Sequence, residues 1–187
     1  MSVSSENSPG PPHRLGAVID FVNTFDLETG IEELGTGSDL AAWLSARNLL
    51  DDSGVSIREP QRKQALKLRE ALRALMAAHN GGAPDPAAAA ELERVARRGQ
   101  LVVRFTDDGS SCLASDSTGL THALALLLIP VIEAGADGSW ERVKACRAGD
   151  CLWAFYDHSR NRAGVWCNMA ACGNRAKVRA YRRRKPR

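Results

Sequence analysis

The chain has 187 residues, enough for one domain or for one domain and a small module. With 44% apolar and 25% charged residues it has the composition of a soluble globular protein, not of a membrane-embedded one. Its net charge of +3 conceals a division: 13 Lys/Arg face 3 Asp/Glu from Trp140 onward, a net +10, while the first 139 residues carry 12 against 19, a net −7. An acidic body with a basic end suggests a module that meets nucleic acid or an anionic membrane surface.

Residues 1–13 are Ser, Pro, Gly and polar residues without an apolar core, and read as a disordered tail, not an export signal. From Leu15, the residues Val18, Ile19, Val22 and Phe25 recur at the helical period. Asp20, Asn23 and Thr24 lie between them, and His122 stands in a later apolar segment. These four are the candidate contacts for a small-molecule effector. The alternative for the first three is an internal hydrogen-bond network, the commoner arrangement for polar groups beside an apolar stripe.

Residues 26–37 contain three glycines and read as a loop, after which Ser38 or Asp39 caps a short helix through Leu40, Trp43 and Leu44. A longer helix follows, started by a Ser56-x-x-Glu59 box or by Pro60 as its first residue. Leu68, Leu72, Leu75 and Met76 form its apolar face, and Lys67, Arg69, Glu70 and Arg73 are expected mostly in solvent. Gly81-Gly82 ends it. Asp85, Pro86 and Gly99 bracket the next helix. Leu101–Phe105 reads as a strand, Asp107-Asp108-Gly109 as a turn and Ser111–Ser115 as the returning strand. Cys112 is the odd cysteine, read as a packed thiol.

Leu120 to Ala134 is the longest apolar run, too short to span a membrane, and predicts a buried helix kinked or ended near Pro130. The small residues from Gly135 to Ser139 predict a linker, dividing the chain into 14–138 and 139–187. No membrane partner is expected, and the compartment reads as cytoplasmic.

Four of the five cysteines stand beyond that linker, as Cys146…Cys151 and Cys167…Cys172. Both pairs enclose four residues, and fifteen residues separate the pairs. Two short ligand turns joined by a longer connection are what a tetrahedral all-cysteine Zn²⁺ site needs. The alternatives are disulfides, which need an oxidising compartment, or unrelated buried thiols, which would not fall into matched pairs. Four protein ligands leave no open position for catalysis, so the ion is expected to be structural.

Six of the ten aromatics also lie in this region, which predicts a small module held by metal and large rings. Leu152 to Tyr156 alternates like a strand, and a helix begins at Asn168. It carries Arg175, Lys177, Arg179, Arg182, Arg183, Arg184 and Lys185, the footprint of a nucleic-acid contact. Arg160 and Arg162 stand on the turn before it. Asn174 either bonds to backbone beside the metal or faces a base, and Arg175 either reads guanine, or packs on Trp166 or pairs with Asp157 to hold the module together. No phosphate-cradling glycine loop, Ser/His/Asp set or redox Cys-x-x-Cys points to an enzyme.

Cys172-Gly173-Asn174-Arg175 resembles the signature of the CGNR zinc-finger family. Phe155-Tyr156-Asp157-His158-Ser159-Arg160-Asn161 and Trp166-Cys167-Asn168-Met169 are similar to its surroundings. Ile19-Asp20-Phe21-Val22-Asn23-Thr24 resembles the start of the ABATE domain that precedes such fingers. The family often has arginine immediately before the Trp-Cys pair, where this chain has Gly164 and Val165.

The resemblance implies an α+β chain. A mostly helical ABATE-like domain with a small hairpin would precede a treble-clef-like four-cysteine zinc finger with a basic C-terminal helix. It also implies a bacterial transcription regulator that binds DNA in the nucleoid and senses a small molecule. A homodimer is a further candidate state, and an RNA-binding or protein-interaction zinc module is the alternative.

Overall fold

The computed structural model describes residues 14–51 and 55–184, Arg184 by its backbone alone. The tail at 1–13 and Lys185 therefore lie outside the described residues. Helix α1 (Gly16–Asn23) buries Val18, Ile19, Phe21 and Val22. So many apolar positions in two turns leave only Asp20 exposed on it, and it packs against three later elements.

The loop after α1 is fixed by a bridge between Phe25 and Glu32. α2 (Gly37–Ser45) is capped two residues before Ser38, the earlier of the expected caps, by Thr36 with Asp39 in a reciprocal capping box. Phe21 meets Trp43 with ring centres 5.4 Å apart. α3 (Glu59–Ala78) starts with Pro60 in its first turn, and the Gln61 side chain caps the Arg58 amide in place of a Ser56 box. α4 (Pro86–Arg98) has the expected ends, with the Asp85 carboxylate accepting from the Ala87 and Ala88 amides at 2.9 and 3.2 Å.

β1 (Leu101–Phe105) and β2 (Ser111–Ser115) form the expected antiparallel hairpin, with Val103 opposite Leu113. α5 (Gly119–Asp137) corrects the sequence reading, because it runs through Pro130 and Gly135 and stops only at Gly138, whose φ is +74°. The linker shrinks accordingly to Gly138-Ser139. At 19 residues, α5 is by composition and length long enough to cross a membrane. Its Leu120, Leu124, Leu127, Leu128 and Val131 instead belong to the protein core.

β3 (Val143–Ala145) and β4 (Ala154–Tyr156) form a second two-stranded sheet. Only β4 had a sequence signal. Val143, Ala145 and Ala154 are nearly inaccessible and join the same core as Val18, Leu68 and Leu127. The finger therefore shares the hydrophobic centre of the helical region. The large aromatics expected to hold it are less buried, and Trp153 is 37% exposed.

Two arginines correct the sequence reading. Arg69 and Arg73 are buried, not solvated. Arg69 grips both carboxylate oxygens of Glu32 at 2.7 Å and donates to the Thr24 hydroxyl at 3.2 Å. Arg73 donates to the carbonyls of Val22, Phe25 and Leu152. Periodicity placed them off the apolar face, but the chain folds back over that side, and a guanidinium can satisfy several carbonyls at once.

Candidate metal centre and nucleic-acid face

The two cysteine pairs meet beneath the β3–β4 ribbon. Cys146 follows β3, and a tight turn over Arg147–Asp150 returns Cys151 to it, with the Cys151 amide donating to the Ala148 carbonyl at 2.9 Å. Leu152 then takes a left-handed φ of +49°, an unfavourable conformation for a branched side chain. Its carbonyl is held by Arg73 of α3. Cys172 sits in a single π-helical turn, Met169–Gly173, capped by the Asn168 side chain, and α6 (Asn174–Arg184) continues from it. Gly173 permits the packing there: a Cβ would lie 2.4 Å from Met169 Sδ and 3.2 Å from Trp166 Cδ1.

The four sulfurs lie within 4.8 Å of one another. Cys151 and Cys167 Sγ are 3.7 Å apart, and Cys167 and Cys172 Sγ 3.8 Å. A tetrahedron with Zn–S bonds of about 2.3 Å has edges of about 3.8 Å, so the set fits one zinc ion. The amides of Ala148 and Cys167 donate to the Cys146 sulfur, and that of Trp153 to the Cys151 sulfur, as thiolates require. Bare thiols in this arrangement conflict. The neighbouring Cys151 and Cys167 thiols pull the Cys146 pKa down to about 2. That same contact pushes Cys151 up to about 12 and Cys167 higher still. A divalent cation lets all four ionise together.

Around this centre the backbone is locked from both sides. Lys144, buried, donates to Asp157 Oδ2 at 2.7 Å and to the Gly164 carbonyl at 3.0 Å. Gly164 approaches Asp157 so closely that a Cβ would lie 2.7 Å from Oδ1, which accounts for glycine on this loop. The Asn80 side chain donates to the carbonyls of Ala145 and Val165 at 2.8 and 2.9 Å. Neither Lys144 nor Asn80 carried a sequence signal.

A model of the ABATE family, described as "Putative stress-induced transcription regulator", matches residues 15–138. The chain belongs to the ABATE family. A CGNR zinc-finger model matches residues 142–185 of the same chain. Both are regulator or zinc-finger families, not enzyme families, and fit a soluble cytoplasmic protein. No curated protein matches the chain.

In this ABATE protein the effector candidates do not converge. Asn23 donates to the Ala154 carbonyl at 2.9 Å and accepts from its amide at 2.7 Å, pairing with β4 as a neighbouring strand would. Thr24 is buried and donates to the Phe21 carbonyl at 2.8 Å. Asp20 is exposed, 3.5 Å from Arg47. His122 lines a cavity, with Asn48, Leu50, Val55 and Thr118. Asn23→Ala is therefore expected to cost about 1–3 kcal/mol, ligand or none, by orphaning a buried donor and acceptor. Urea unfolding measures this, and an unchanged midpoint would show that the pair contributes nothing.

The basic candidates divide. Arg175 donates to both oxygens of Glu28 and, at 3.1 Å, to Cys172 Sγ; its hydrogen bonds reach neither Trp166 nor Asp157. Those partners hold its pKa above the ordinary arginine value, Glu28 most strongly. Arg179 meets Asp150 at 2.7 Å, and Arg162 pairs with Glu141. The Asn174 amide donates to the Ala170 carbonyl at 3.0 Å, the backbone alternative for that residue. Arg160, Lys177, Arg182 and Arg183 are exposed, with no hydrogen bond or ion pair among the described residues.

Proposed function

We propose that the protein is a transcription regulator that binds duplex DNA through the exposed cations of α6. The carrying observation is the exposed, unpaired set Lys177, Arg182 and Arg183 on a helix whose first turn follows directly from Cys172. A helix held at one end by a metal knuckle presents cations from a fixed frame, and one helix fits the B-DNA major groove. Val178 and Tyr181, 49% and 61% exposed, flank these cations and supply apolar contact to sugars and base edges.

Arg160, on the turn after β4, would reach an adjacent phosphate. Arg162, Asn174, Arg175 and Arg179 would join the contact only after giving up the partners described above. Arg184 and Lys185 would extend it along the strand. The N-terminal Glu28 loop meets the finger at Arg175, so a change in that region would reach the DNA-binding helix.

The test is a titration of a labelled duplex at several salt concentrations. Lys177→Ala and Arg182→Ala should each weaken binding and reduce the salt slope by roughly one unit, with zinc content unchanged. Wild-type affinity and slope in both variants would reject α6 as the contact. Stronger competition by RNA of the same length would transfer the reading to RNA.

A further inference from the structure

A groove of ≈ 490 Å³ runs between the knuckle turn and the inner face of α6. Arg147 and Asp150 line one side, and Arg175, Arg179 and Arg183 the other. These three recur every four residues and so share one helix face, turned away from Lys177 and Tyr181. Ala176 and Ala180 lie beside them and keep the groove open.

Arg147 is fixed in place. Its Nε and Nη2 donate to the Asn80 carbonyl at 3.0 and 2.7 Å. Gly81, at φ +85°, has the room for this, since a Cβ there would lie 3.0 Å from Nη2. Four guanidinium groups thus meet one carboxylate of the groove itself, Asp150, and a second reaching in from outside, Glu28. The Asp150 carboxylate, 2.7 Å from Arg179 Nη2, occupies a place for an oxyanion. Arg175 Nε is buried with no acceptor among the described residues. A buried donor left unpaired costs stability, and a ligand oxygen would remove that cost.

We propose that this groove is a phosphate-binding site, in which a phosphate group displaces Asp150 from Arg179, accepts from Arg175 Nε and is closed over by Arg183. Guanidinium forks match a tetrahedral oxyanion, and a dianion recruits more positive charge than the single carboxylate it replaces. Two sources carry this chemistry: a backbone phosphate of a nucleic acid seated on α6, or a free phosphorylated small molecule. Only the first rests on the DNA reading.

The experiment uses the zinc-loaded full chain with two probes, inorganic phosphate by calorimetry and a labelled duplex by anisotropy. Asp150→Asn removes the competing carboxylate and should tighten phosphate-bearing ligands by roughly two- to fivefold, the weight of an exposed ion pair. Arg179→Gln should abolish that gain, while Lys177→Gln, on the outer face, should leave inorganic phosphate binding unchanged. A response to inorganic phosphate identifies a free ligand; a response confined to the duplex identifies the backbone. Duplex binding absent from every form would sink the DNA reading and leave the phosphate titration to decide this one. The proposal is overturned if neither probe distinguishes Asp150→Asn from wild type, or if the gain from Asp150→Asn persists when Arg179→Gln is added.

Discussion

Cys151→Ala is expected to melt the helical region together with the finger. From the sequence alone the same change would unfold only residues from Trp140 on, because a linker was expected there. The structure removes that independence. Val143, Ala145 and Ala154 belong to the core built by α1, α3 and α5. Asn23 pairs with β4, Asn80 with the strand and loop beside the cysteines, and Arg73 with Leu152. Metal binding in small zinc modules is worth about 10–16 kcal/mol. A whole domain is stable by only about 5–15 kcal/mol, so losing the centre exceeds what the rest can absorb. Wild-type protein should contain about one zinc per chain. The variant should lose zinc, and its α1 and α3 amides should lose hydrogen-exchange protection. Full protection of α3 in zinc-free protein would show that the helical region stands alone.

The second large effect is at Lys144. Its ammonium and the Asp157 carboxylate are both buried, 4% and 3% exposed. Lys144→Met leaves the carboxylate buried without its cation, a loss of about 3–5 kcal/mol. Burial by itself would raise the Asp157 pKa, but the bonds from Lys144 and Ser159 outweigh it and hold the group at about 2, against an ordinary 3.8. A depressed carboxylate stabilises the fold above its unfolded pKa and loses that contribution as pH falls through the folded one. The wild-type pair therefore contributes about 2–3 kcal/mol at neutral pH, constant down to about pH 4 and lost toward about pH 2. In the variant burial is opposed only by the remaining bonds from Ser159 and Gly164, the carboxyl protonates at higher pH than in wild type, and the deficit shrinks as pH falls. Urea midpoints at pH 7 and pH 5 test this: a gap that narrows is expected, and no gap at pH 7 would mean that the pair is dispensable.

Most of what could be read from the sequence was local. Paired cysteines define a ligand set because each pair closes its own turn, and Asp85, Pro86 and Gly99 bound α4 by chemistry within a few residues. Pro130 left a kink or an end open for the opposite reason: whether the helix continues depends on distant packing, and α5 runs through it with Leu127, Leu128, Val131 and Ala134 buried on either side. Asn23 could be narrowed only to a pocket or a network, since its partner Ala154 lies 131 residues away.

By itself the sequence determined the helix-rich composition of the body, the hairpin, the four metal ligands and the concentration of positive charge at the end of the chain. Each depends on periodicity, capping or spacing, which act over a few residues. Only the tertiary structure decided which charges are free. Arg69 and Arg73 look like solvated cations in the sequence but are buried and bonded, as is Lys144, while Arg175 and Arg179 meet Glu28 and Asp150. The physical reason is that a charge is neutralised or exposed by whichever group folds against it, and those groups come from distant parts of the chain.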